Sequence, residues 1–229
     1  MSLIGIANAI PWQPCIGFPV THGGGGGELV DQIANQYSFE FDGVGSYLSI
    51  DSSGGLDTFH ANPFSISLWF KYTGGDRILV TKQETASTST RVVYIYTSAG
   101  NISWYGGGAS PTVTSSGGLS DGNWHHAVFV AESDTVAKIY IDGVDDTADT
   151  AKDRIGTGSN TAPIILGTTY NQSGFWFNGS MDEFAVFDYA LDSGQVDEIY
   201  NATSAGPPAK TADLSTMATP PVAWYRMGD

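Results

Sequence analysis

Cysteine is nearly absent: Cys15 stands alone among 229 residues. No internal disulfide can form, so the fold has to rest on buried apolar surface. Cys15 also lacks a neighbouring Cys/His/Asp constellation that would activate it as a nucleophile. Basic residues are scarce as well, with 9 Lys and Arg against 24 Asp and Glu and a formal net charge of -15. A chain with that field repels a polyanion, so nucleic acid is not an expected partner. No stretch comes near the roughly 20 apolar residues that a membrane-spanning helix needs, and no membrane contact is expected. Charged residues make up only 14% of the chain while glycine reaches 29 residues, the balance of a turn-rich globular protein. The Met1–Trp12 segment has a short apolar run but lacks the basic residues and length of a secretion signal, and is expected to be retained.

What the chain does have is period-two alternation. Leu119–Val144 reads as two strands joined at Glu132–Asp134. The second places Ala137, Ile139 and Ile141 on one side and Lys138, Tyr140 and Asp142 on the other, a spacing that a helix cannot use. The first is apolar on both sides, with Trp124, Val128 and Val130 against Ala127 and Phe129, as expected of an inner strand covered by a second layer. Phe64, Ile66, Leu68, Phe70 and Tyr72 form another inward row opposite Ser65, Ser67 and Lys71, which leaves Trp69 on the outer side needing a cover. Residues 37–50, 77–83, 91–97, 101–105 and 163–168 read as further strands between Gly- and Ser-rich turns, with Tyr37, Phe39 and Phe41 on one face. Asp192 and Gln195 form a capping-box pair ahead of Val196, Ile199 and Tyr200, which predicts one short helix.

Two segments resemble a known family. DGNWHHAVFV followed by KIYIDGV, and FNGSMDEFAVFDYALDSGQVDEIY at 177–200, are similar to motifs of the laminin G-like branch of the concanavalin A-like lectin and glucanase superfamily. The resemblance implies an all-β fold: a concanavalin A-like jelly-roll β-sandwich of two antiparallel sheets with one short helix, here preceded by an extended N-terminal arm. Residues 37–50 resemble the family's FDGxxDYVxI segment, with Gly45–Ser46 where acids that carry calcium are common. The polar stretch 145–158, with Asp145, Asp146, Asp149 and Asp153, does not have EF-hand spacing. Its expected role is a solvated acidic turn, so no metal site is assigned and calcium is left as a secondary option. Glucanases of the superfamily use an E-x-D-x-x-E strand to place an acid and a nucleophile or base. That triplet does not occur, and the resemblance makes Asp182 structural, so no catalytic residue and no enzymatic activity are expected. His125 and His126, as strand neighbours, point to opposite faces and cannot chelate one ion together.

The expected organisation is an arm and glycine hinge at 1–27, the sandwich at 28–206, and a connector with a C-terminal strand at 207–229. Ile4, Ile6, Ile10, Trp12, Ile16 and Phe18 make the arm too apolar for a free tail, and Gly23–Gly27 lets it reach a neighbour. The final TPPVAWYRMGD, with Val222, Trp224 and Tyr225, is similar to the strand that normally opens family domains. It either returns to its own sandwich or pairs with a neighbouring subunit. These ends suit assembly, and the chain resembles modules in structural proteins of bacterial viruses. The leading expectation is a capsid decoration or cement protein, made in the host cytoplasm, homo-oligomeric, and docked on the major capsid protein or other virion subunits. A tail or appendage protein is close to it. The alternative is a glycan-binding module for host attachment, with Trp104, Tyr105, Trp176 and Asn178 as its aromatic and polar contacts.

Overall fold

The computed structural model describes residues 31–35, 37–61, 63–107, 113–133, 135–149, 160–202 and 210–227. Its strands, in chain order, are β1 (Gln32–Ala34), β2 (Phe39–Asp42), β3 (Leu48–Ile50), β4 (Phe64–Tyr72), β5 (Arg77–Gln83), β6 (Arg91–Ser98), β7 (Asn101–Tyr105) and β8 (Val113–Ser115). They continue as β9 (His125–Ser133), β10 (Val136–Ile141), β11 (Val144–Asp145), β12 (Thr147–Asp149), β13 (Ile164–Leu166) and β14 (Asn178–Phe187). The helix α1 (Ser193–Ala202), β15 (Lys210–Ala212) and β16 (Ala223–Tyr225) complete the order. Sheet I runs β11-β10-β9-β4-β14, and sheet II runs β12-β8-β7-β6-β5-β13-β3. All pairings are antiparallel, as a jelly-roll sandwich requires.

Alternation explains the core. Phe64, Ile66, Leu68, Phe70 and Tyr72 of β4 and Ala127 and Phe129 of β9 meet Leu79, Val80, Val93, Ile95, Ile102 and Trp104 of sheet II in one apolar cluster. Glycine serves that packing where the sheets close on a turn. Gly167, at φ +90°, lies where a Cβ would come within 2.5 Å of the Phe41 ring, so the left-handed backbone and the close approach both require it. Phe41 is buried and Phe39 packs at the rim of the cluster, whereas Tyr37 is 60% exposed and does not share their inward face. Residues 145–149 are also more regular than the expected polar loop, because β11 and β12 add a short strand to the edge of each sheet.

The outer face of sheet I is a second buried layer. Val128, Val130, Tyr140, Ala185 and Phe187 pack under Leu191, Val196 and Ile199 of the helical segment and under Ala212, Leu214 and Met217. The alternation that placed Ser65 and Ser67 outward holds, yet both are buried, because the cover satisfies their hydroxyls. Ser65 donates to the Tyr189 carbonyl at 3.0 Å and accepts from the Leu191 amide at 2.8 Å, and Ser67 meets His126 at 2.8 Å. Trp69 finds its cover there, stacked on His126 at 5.1 Å and on Tyr200 of α1 at 5.9 Å. The capping box is formed in both directions: the Asp192 amide donates to Gln195 Oε1 at 3.0 Å and the Gln195 amide to Asp192 Oδ1 at 2.9 Å.

The C-terminal strand lies in the same sandwich. β16 pairs with the second half of β14 through Phe184–Tyr225, Ala185–Trp224 and Val186–Ala223, while β2 pairs with the first half along the same edge. Val222 donates its amide to the Val186 carbonyl at 2.8 Å, and Tyr225 rests on Phe184 at 6.3 Å. β15 pairs with β1, so residues 210–217 form part of the cover. The arm residues Ile4, Ile6, Ile10, Trp12, Ile16 and Phe18 lie outside the described residues.

Candidate functional site

Two buried acids of β14 are occupied in holding the chain together. A β-bulge in β14 puts Glu183 at φ +51° and leaves Asp182 and Glu183, between the core residues Met181 and Phe184, both buried. Asp182 accepts from Asn35 Nδ2 at 2.8 Å and from the Met227 amide at 3.2 Å. Glu183 accepts from the Thr211 hydroxyl at 2.9 Å, the Trp224 indole at 2.5 Å and Arg226 Nε at 3.4 Å. Burial, and then the adjacent Asp182 charge, push the Glu183 carboxyl up to about 7. It lines a small cleft with Ser67, Trp69, His126, Ile199 and Thr211 beneath the helical cover. Both carboxylates are thus engaged by the chain's own residues, most of them from its two ends.

The histidine pair divides as strand geometry demands. His125 is held between Asp142 Oδ2 at 2.8 Å and Asp121 Oδ1 at 3.2 Å, and these contacts, the Asp142 bond first, raise its pKa. His126 points into the cover, where burial lowers it to about 4. Among the described residues no group of three or more His, Cys, Asp or Glu side chains could hold a metal ion. Asp145 and Asp146 cap backbone amides of Thr147 and Ser116 at 3.1 and 2.9 Å, and Asp42 gathers the amides of Val44, Gly45 and Ser46 onto one oxygen, which holds its carboxyl below the usual range. No helix among the described residues is long and apolar enough to cross a membrane.

Sheet II presents a different surface. Register places Tyr94 opposite Tyr105 and Tyr96 opposite Ser103 on its outer face. Tyr105 meets Tyr94 edge-on at 5.9 Å, Tyr94 lies beside Tyr96 at 6.4 Å, and Tyr96 meets Phe175 at 5.8 Å. Phe175 arrives from a distant loop pinned to β5, where the Ile78 amide donates to its carbonyl at 3.0 Å, and it is 50% exposed. The Arg91 guanidinium sits 4.4 Å above Tyr94 and 5.7 Å from Tyr105, with its Nε donating to Gln83 Oε1 at 3.2 Å. Four aromatic rings thus form a continuous, partly exposed stripe with hydroxyls along it, the composition of a surface that stacks on apolar ring faces and hydrogen-bonds at their edges.

Of the four residues expected to contact glycan, only Tyr105 is in this stripe. Trp104 points the other way: it is fully buried between Phe64 and Phe129 and cannot stack on a ligand. The reason is the parity of β7, which sends Ile102 and Trp104 inward and Ser103 and Tyr105 outward. Trp176 is half-buried beside Tyr47 at 6.2 Å, and Asn178 is exposed at the start of β14. Tyr94 and Tyr96 are not among the expected contacts, although two aromatic residues at i and i+2 on the face opposite Val93 and Ile95 are a legible signal of an aromatic outer face.

Two curved antiparallel sheets with a covering helix and an aromatic outer face define a lectin-type sandwich. The Laminin_G_3 model, described as Concanavalin A-like lectin/glucanases superfamily, matches residues 42–197, and the chain belongs to this family. Solved structures share the fold at low identity. The receptor-binding domain of a botulinum neurotoxin C/D mosaic serotype aligns at TM-score 0.56 and 15% identity, over 77% of this chain and 46% of that one. The CBM40 of Ruminococcus gnavus IT-sialidase aligns at 0.54 and 16%, over 76% of this chain and 100% of that one. The binding domain of Paraclostridial Mosquitocidal Protein 1 aligns at 0.54 and 16%, over 76% of this chain, which spans 47% of that longer chain. A search of curated proteins gives no match.

Proposed function

We propose that this protein is a non-enzymatic, lectin-like module that binds glycan on the outer face of sheet II. The observation that carries the reading is the stripe Tyr105–Tyr94–Tyr96–Phe175 with Arg91 at its end. Membership of a lectin-type family and the fold shared with a sialidase CBM40 support it. The test is a glycan array followed by titration calorimetry on the wild type and on Tyr94→Ala. Losing one stacked ring at about 1 kcal/mol lowers affinity by roughly five- to tenfold, with the thermal midpoint little changed. Absence of any bound glycan, or undiminished binding by Tyr94→Ala and Tyr105→Ala, defeats the reading.

The setting we propose for this module is a virion surface, with the arm at 1–27 as the docking element on capsid or other virion subunits. The supporting observation is the apolar alternation of Ile4, Ile6, Ile10, Trp12, Ile16 and Phe18 followed by five glycines. Deleting 1–27 is expected to abolish incorporation into particles while sparing glycan binding, and a truncated chain that still incorporates counts against it.

A further inference from the structure

Resting on the glycan reading above, we infer that the ligand is an uncharged, linear oligosaccharide engaged over at least three successive sugar residues, and not a single terminal or anionic sugar. The first support is the extent of the stripe. Four rings separated by 5.9, 6.4 and 5.8 Å offer three steps in a row, so a monosaccharide covers only part of it. The second is its relief. Successive ring planes turn through 83°, 29° and 77° from Tyr105 to Phe175. No single plane serves all four, which opposes a flat crystalline polysaccharide and suits a free chain whose successive rings also turn.

The third support is charge. The net charge of -15 disfavours a sulfated or polycarboxylated chain. Among the described residues the cation that lies over the stripe is Arg91, which is half-buried, faces the Tyr94 and Tyr105 rings and donates to Gln83. Asp76 adds a carboxylate next to Tyr96. What remains along the stripe is hydroxyl chemistry from Tyr94, Tyr105 and the neighbouring Thr114, suited to neutral hydroxyl groups.

Calorimetry of the full chain against gluco-, xylo- and chito-oligosaccharides from mono- to hexasaccharide, with sulfated and sialylated oligosaccharides in parallel, tests this. Affinity is expected to climb by about five- to tenfold per residue up to three or four residues and then level off. It should change by less than about twofold between low salt and roughly 0.5 M salt. Full affinity for a monosaccharide, or tighter binding of an anionic glycan that weakens with salt, overturns the inference and leaves the glycan reading standing. Binding to none of these sugars overturns both.

Discussion

Glutamate 183 makes a prediction that can be worked through. Its carboxyl is buried, and its pKa rises from an ordinary 4.5 to about 7. The folded state therefore holds its proton more tightly than the unfolded chain, and between these two values folding takes up a proton. Stability then falls as pH rises through that window and levels off above about 7. Each factor of ten in proton affinity is worth about 1.4 kcal/mol, so the span corresponds to roughly 3 kcal/mol lost between pH 4.5 and pH 7. Glu183→Gln mimics the protonated acid. The variant is expected to lie within about 1 kcal/mol of wild type at pH 4.5 and to be the more stable protein by roughly 2–3 kcal/mol at pH 8. Urea unfolding across pH 4.5–8, followed by tryptophan fluorescence, measures the difference, in which the contributions of His125 and His126 cancel. Parallel curves for the two proteins, or a variant less stable at pH 8, would refute the assignment of Glu183 as a buried, proton-holding clip.

Two further changes probe other parts of the frame. His125 titrates above its ordinary 6.5 because Asp142 and Asp121 hold it, so its stabilisation is complete below pH 6.5 and is lost as pH rises through the folded value. His125→Gln is expected to cost about 1–2 kcal/mol at pH 6 and much less at pH 8.5, measured by the same denaturation. Asp192→Ala removes one side of the capping box and is expected to cost about 1 kcal/mol of thermal stability while leaving glycan binding intact.

How much of this was legible follows from which forces are local. The strands at 64–72, 77–83, 91–97 and 101–105 and the helix cap follow from side-chain parity and from one reciprocal pair, both set within a few residues. The second buried layer was only half visible. Trp69 announced a cover, but Ser65 and Ser67 looked like solvent-facing residues because nothing nearby in sequence shows that Tyr189, Leu191 and His126 will bind their hydroxyls. β1 and β15 are three-residue strands that exist because Asp31, Ala34 and Asn35 meet residues 185, 192 and 147 positions away. The aromatic face failed for a different reason. Trp104 and Tyr105 are expected to contact glycan together, yet the parity of the strand that carries them separates them, and Phe175 joins the stripe only through the closure of a remote loop.

The clip at Asp182 and Glu183 also fixes on which side of the sandwich the described chain begins and ends. It gathers Asn35 from one end of the described chain and Arg226 and Met227 from the other, on the side of the sandwich that carries the helix. The tyrosine stripe lies at the opposite pole. The first and last described residues, Asp31 and Met227, are therefore both held on the covered side of the sandwich, with the full thickness of two sheets between them and the tyrosines.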